Sequence, residues 1–261
     1  MLYLLLVFLK SAVMKTKVIF SLFAAIVLGL NCSFAQVYPS FDDDSYVESV
    51  KLKGQKPTIV DFVNNYLSDA EGDLGAHLSD MWDNYKAGKP QEKGMKVTVD
   101  VRNGYARFEE SYSEANELSV TEMCYWNCSD GKHKILAFSN RLFADGKFVE
   151  GQYTGTVFWL YENSTRRLMQ IGASEIGAEV ESGVEHITSG YDGKNWYYEK
   201  GGKKTVLTQE EYDTWYADTH PVIIYHLPQV GKEIKVEFWT PKRVKIKVLT
   251  WDGLKFHIPN Y

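Results

Sequence analysis

The sequence predicts an α+β protein that is mainly antiparallel β, with N-terminal helices packed on one or more β-meander sheets. Three observations predict it. Apolar residues recur at the helical period between Pro57 and Tyr85, and from Met95 onward the period becomes two. Most breaks between the period-two runs carry Asn, Asp or Gly, which tolerate turn geometry, so the runs read as strands joined in sequence.

Residues 1–35 read as an export signal and not as part of the fold. Lys15 and Lys17 make a positive start, Val18 to Leu30 is apolar and uncharged, and Ser33, Phe34 and Ala35 supply a small-x-small cleavage pattern. Cleavage is expected after Ala35, with Met14 as the true start. Neither Leu2 to Leu9 nor Val18 to Leu30 reaches the roughly 20 residues a helix needs to cross a bilayer, so no transmembrane span is expected. Cys32 raises the question of a lipid anchor, but Leu30 and Asn31 stand where that pattern has small residues, and lipidation is not expected.

Residues 36–56 read as a polar arm with an acidic run at Asp42, Asp43 and Asp44. Residues 57–172 hold a helical pair and a first β-meander. Ile59, Phe62, Val63, Tyr66 and Leu67 lie on one face of a helix started by Pro57 and Thr58, and Leu74, Leu78, Met81, Trp82 and Tyr85 continue the stripe beyond Gly72. His77 sits beside that stripe as a boundary residue. Met95, Val97, Val99 and Val101 then alternate with polar residues, Asn103 and Gly104 form a hairpin turn, and Tyr105 to Tyr112 returns. Further strands are expected over Leu118 to Trp126, His133 to Ser139, Gly155 to Tyr161 and Arg166 to Ile171.

The Gly- and Glu-rich stretch from Ala173 to Ser189 marks an internal boundary, unless the chain forms one continuous domain. Residues 173–261 read as a second β unit with a short helix. A hairpin turns at Gly201 and Gly202, and Thr208 with Glu211 makes a capping box for a helix bearing Tyr212, Trp215 and Tyr216. Three strands follow, Val222 to Leu227, Glu233 to Thr240 and Val244 to Trp251, and Asp252 and Gly253 turn the chain into Leu254 to Ile258. In two of them Ile234, Val236, Phe238 and Val244, Ile246, Val248 alternate with charged residues, so one face is expected buried and the other wet.

Tyr125 and Trp126 before Asp130-Gly131-Lys132, the run Gly231 to Val236, and Leu249 to Phe256 with its Trp251-Asp252-Gly253 resemble uncharacterised secreted β-rich proteins of Bacteroidetes. The signal ending at Ala35 before Gln36 is similar to theirs as well. The resemblance implies a periplasmic or cell-surface location and brings no assigned activity, catalytic residue or cofactor.

The formal net charge is −5, and removal of Lys10, Lys15 and Lys17 with the signal makes it more negative. Nucleic acid and anionic lipid, which need clustered Lys and Arg, are therefore not expected partners. Cys124 and Cys128 could be bridged in an oxidising compartment only if the chain turned between them. On one extended strand they would stand about 13 Å apart. No metal site is expected, since tetrahedral zinc wants four ligands at recognisable spacings and His220 and His226 lie about 20 Å apart along a strand. No H-E-x-x-H, G-x-S-x-G or phosphate-cradling glycine loop is present, so no catalytic residue is singled out.

Aromatic residues are the unusual feature, at 14 % of the chain. Trp196 and Tyr198 share one side of a strand, with Tyr197 on the other, and Trp215 and Tyr216 follow on the short helix. An exposed aromatic surface suits a sugar ring or a partner protein, although strands also favour aromatics as ordinary core. These four residues are the candidate ligand-binding site of a non-catalytic extracytoplasmic module for a glycan or a cell-envelope protein. The alternative is a secreted hydrolase of polysaccharide or peptide.

Overall fold

The structure is a computed structural model, and it describes residues 38, 39, 41, 47–69, 72–112, 115–149, 154–180, 187–240 and 242–259. The chain divides into two compact units, 1–39 and 40–261. The expected export signal lies outside the described residues. Everything below concerns the second unit, which among its described residues is mainly antiparallel β with three α-helices. Among the described residues no helix is long and apolar enough to cross a membrane.

Two helices come first, α1 (Ile59–Asp69) and α2 (Gly72–Lys86). Asp61 explains where α1 starts. Its carboxylate accepts from the Thr58 backbone N–H at 2.8 Å, from the Thr58 hydroxyl at 3.0 Å and from the Lys53 N–H at 3.2 Å, so donors at the helix entry are satisfied although Asp61 is buried. The Trp82 indole N–H donates to Asn64 Oδ1 at 2.8 Å and ties the two helices together.

The helices cover one face of an eight-stranded antiparallel sheet. Its strands are β1 (Val47–Ser49), β2 (Met95–Asp100), β3 (Tyr105–Tyr112), β4 (Glu117–Asn127), β5 (His133–Ala144), β6 (Lys147–Val149), β7 (Gly155–Glu162) and β8 (Arg167–Ile171), in the order β1-β8-β7-β5-β4-β3-β2, with β6 paired to β5. Phe62, Val63 and Trp82 pack onto Phe108, Met123 and Leu136 in a common core, and the Phe62 ring meets Tyr161 edge-on at 5.3 Å.

The opposite face of the same sheet is apolar at its centre too, through residues such as Val120, Ile135 and Phe158. That is why Met123 to Trp126 and Ile135 to Phe138 are unbroken apolar runs: there β4 and β5 are covered on both faces. A four-stranded sheet covers this second face: β12 (Val222–His226), β13 (Ile234–Thr240), β14 (Arg243–Trp251) and β15 (Phe256–His257), in that order. Tyr225 meets Phe158 edge-on at 5.9 Å, Phe256 meets Trp126 at 5.0 Å, and the Trp126 indole N–H donates to Lys232 O at 3.0 Å.

Between the two large sheets in sequence come a 3₁₀ turn (Ala173–Ile176) and a three-stranded sheet of order β11-β10-β9, built from β9 (Thr188–Tyr191), β10 (Trp196–Lys200) and β11 (Lys203–Leu207) and followed by α3 (Gln209–Thr219).

Four readings need correction. The polar arm is not wholly a linker, because Val47–Ser49 pairs with Met169, Leu168 and Arg167 at the sheet edge and Val50 is buried. Val101 does not extend β2: Asp100 accepts from the Asn103 backbone and side chain and turns the chain one residue earlier, leaving Val101 exposed. The strand from His133 runs on to Ala144 and is followed by β6, which the sequence pattern did not mark. Finally, the apolar alternation of β14 does not join that of β13. The register sets Lys245 opposite Phe238 and Lys247 opposite Val236, so Val244 and Ile246 are 50 % and 52 % exposed while Val236 and Phe238 are buried.

Candidate functional site

Strand alternation places Trp196 and Tyr198 on the face of the small sheet that meets α3 and sends Tyr197 to the other side, under Lys204. The helix starts directly after β11 because Thr208 and Glu211 close a capping box. The Glu211 N–H donates to Thr208 Oγ1 at 3.2 Å and the Thr208 N–H donates to Glu211 Oε2 at 2.8 Å. Positions 212, 215 and 216 then share one face of the helix.

The four predicted residues are brought together, and Tyr212 is the hub that joins them. It lies 4.7 Å from Trp196, 5.7 Å from Trp215 and 5.9 Å from Tyr216 between ring centres, and its hydroxyl bonds Ser189 Oγ at 3.2 Å. Tyr198 and Trp215 stack nearly parallel at 4.5 Å. Tyr212 is buried, so the inner part of the cluster is the small core that lets three short strands and one helix hold together.

The edges of the cluster differ. At one end Tyr216 is 46 % exposed and stacks on His220 at 4.0 Å. At the other, Trp196 forms a wall of an open groove of about 390 Å³ whose lining includes Lys194, Asn195, Leu207, Gln209 and Glu211. Tyr191, 55 % exposed, leans on Trp196 at 5.2 Å. The groove therefore takes one of the four predicted residues, Trp196. Tyr198 stacks on Trp215, which reaches Trp196 only through Tyr212.

The rim is fixed by Asp192. Its carboxylate accepts from Lys204 Nζ at 2.6 Å and from the backbone N–H groups of Asn195 and Lys194 at 2.8 and 3.1 Å. Those contacts, the lysine first, hold its pKa down to about 2. The turn carrying Lys194 and Asn195 is thus pinned at neutral pH. Glu211 is likewise held below the usual carboxylate range by its Thr208 bonds, which suits it to accept hydrogen bonds and not to give up a proton.

A second cluster, which sequence reasoning missed, lies between the two large sheets. Glu122 Oε1 accepts from Arg107 Nη1 at 2.7 Å and from the Tyr105 hydroxyl at 2.9 Å; Oε2 accepts from Arg141 Nη2 at 2.6 Å and from the Leu227 N–H at 3.1 Å. Arg141 reaches on to Nδ1 of His226, whose Nε2 stands 3.2 Å from Glu237 Oε2, and Lys235 closes the chain on Glu237 at 2.7 Å. A carboxylate with four donors has no lone pair left for a substrate, so this network fastens β12 and β13 to the large sheet. The signal was faint: Glu122 follows Thr121, and Arg141 follows Ser139 and Asn140, so neither charge stands out from its own strand.

Cys124 and Cys128 are buried thiols and are not bridged. Strand β4 stays extended through Asn127, which keeps their side chains apart. His133 and His257 are occupied by turn aspartates, Asp130 and Asp252, each at 2.6 Å. Among the described residues no three His, Cys, Asp or Glu side chains converge to hold a metal ion. The chain matches no protein-family model, no curated protein and no solved structure.

Proposed function

We propose that this chain is an exported, non-catalytic binding module that takes a glycan in the Trp196 groove. The observation that carries the reading is the groove itself: a half-buried indole beside an exposed tyrosine, with amide, ammonium and carboxylate groups around the opening. A sugar ring offers an apolar C–H face to an aromatic ring and hydroxyls to such a rim. The groove's size lies in the usual range for small-ligand sites, roughly 300–1,000 Å³. Export and an extracytoplasmic location rest on the reading of residues 1–35 as a signal, and they agree with a glycan of the cell envelope or its surroundings. Binding is favoured over hydrolysis because glycoside hydrolysis uses a pair of carboxyl groups, whereas the groove lining holds one, Glu211, and Thr208 occupies it.

Screening oligosaccharides and measuring the best ligand by calorimetry tests the proposal. Trp196→Ala is expected to weaken it by about tenfold, the loss of one aromatic stacking contact of about 1 kcal/mol or slightly more. Tyr85→Ala, on α2 against the large sheet, is expected to leave binding unchanged. A screen without a ligand, or a ligand that binds both variants like the parent protein, overturns it. Thermal unfolding of Trp196→Ala separates lost binding from a lost fold.

A further inference from the structure

The large sheet shows how this chain closes an exposed strand edge. At β2 the Gln91 side chain acts as a strand in miniature: its Nε2 donates to Val97 O at 3.1 Å and its Oε1 accepts from the Val97 N–H at 2.8 Å. The outer edge of β12 is closed as well, since Ser139 Oγ donates to Tyr225 O and the Leu227 N–H is taken by Glu122. The opposite edge of that sheet is treated differently. Strand β15 pairs with β14 only at Thr250 and Trp251, and among the described residues no strand pairs with the outer edge of β14 before them.

That edge has two chemically distinct sides. Val244 and Ile246 stand about half exposed on one, and Lys245 points to the other, where the Lys247 ammonium lies over the Phe238 ring at 5.1 Å. The chain as a whole is acidic, yet between Lys232 and Lys255 it holds seven Lys and Arg against three Asp and Glu. A second copy pairing through this edge would set lysines against lysines, which is destabilising. A strand with acidic residues on the lysine side and apolar residues on the Val244 and Ile246 side meets both sides favourably.

We propose that the outer edge of β14 is a docking site for an extended segment of a partner protein in which acidic and apolar residues alternate, added to the sheet as a further strand. Backbone hydrogen bonds supply the pairing and the lysines select its charge. This surface is separate from the Trp196 groove, so a glycan and a protein partner can be held together.

The probe is a labelled peptide of about six residues, the ordinary length of a strand, alternating glutamate and isoleucine and titrated by fluorescence anisotropy at low salt. Saturable binding is expected. It should fall by roughly tenfold for Lys245→Glu, where attraction becomes repulsion, and disappear when the peptide's alternate backbone amides are N-methylated. The Lys245→Glu change is on an exposed side chain and leaves the core intact, so loss of fold does not confuse the reading. Equal binding of the glutamate peptide, its lysine counterpart and its N-methylated form overturns the proposal, as does no binding at all. Dimerisation of the chain abolished by Ile246→Asp also overturns it, since a second copy would then own the edge.

Discussion

Arg141 Nη2 lies 2.6 Å from Glu122 Oε2, with both side chains about 3–4 % exposed; the pair sits on the neighbouring strands β5 and β4 and grips the C-terminal sheet through the Leu227 N–H on Glu122 and His226 on Arg141. Charges so placed are costly to strip of one partner, because the other is left in a water-poor interior. Glu122→Gln should therefore cost about 3–5 kcal/mol, and so should Arg141→Met. Combining them should cost less than the sum of the two. Urea unfolding of the four proteins at one pH measures this, and strict additivity would mean that the two residues do not act as a unit.

His226 gives the network a pH dependence. Burial, and then the Arg141 guanidinium beside it, hold its pKa below the ordinary imidazole value, while Glu237 pulls the other way with less effect; Lys235 adds to the depression. The unfolded chain therefore takes up this proton first as pH falls. Stability from this residue is complete above about pH 6.5 and is lost progressively below it. Unfolding free energies between about pH 7.5 and 5, above the range where most carboxylates titrate, should fall for the parent protein and fall less for His226→Gln.

How far this could be read from sequence depends on what fixes each feature. The helices and most strands are local: the stripe from Ile59 to Tyr85 and the alternation at Met95 to Val99 declare which way each element faces, and Asn103-Gly104 declares the turn. The aromatic grouping was legible for the same reason, since Trp196 and Tyr198 must share a side of one strand. The orientation of β14 was not, because register between β13 and β14 depends on the Thr240–Arg243 hairpin and on pairing across it. A shift by one residue exchanges the faces while leaving either strand's own pattern unchanged. Glu122 and Arg141 stand on different strands, and only the pairing of β4 with β5 brings them together.

Thiol chemistry offers a third check. Burial, with Glu122 nearby, pushes the pKa of the Cys124 thiol well above its usual value, and Cys128 is buried too. Since the thiolate is the reactive form, neither should be alkylated in the native protein at neutral pH, and both should react once urea unfolds it. Rapid modification of Cys124 under native conditions, read by mass spectrometry, would contradict its place between the sheets.

Gly177 ends the 3₁₀ turn with φ of 66°, and a Cβ built there would stand 2.3 Å from the carbonyl oxygen of Phe256. Gly146 has nearly the same φ, 72°, but open space around it. Alanine at either position meets the left-handed strain of about 1–2 kcal/mol. Only at Gly177 must backbone also move, and overpacking of that kind typically adds about 1–3 kcal/mol. The oxygen belongs to β15, whose Phe256 ring packs on Trp126 and Trp251. Gly177→Ala should therefore destabilise the protein clearly more than Gly146→Ala and alter the tryptophan fluorescence of the folded state, whereas Gly146→Ala should leave the emission unchanged. Equal unfolding midpoints for the two variants would show that β15 can give way without cost, and that the turn at Gly177 does not hold the last strand in place.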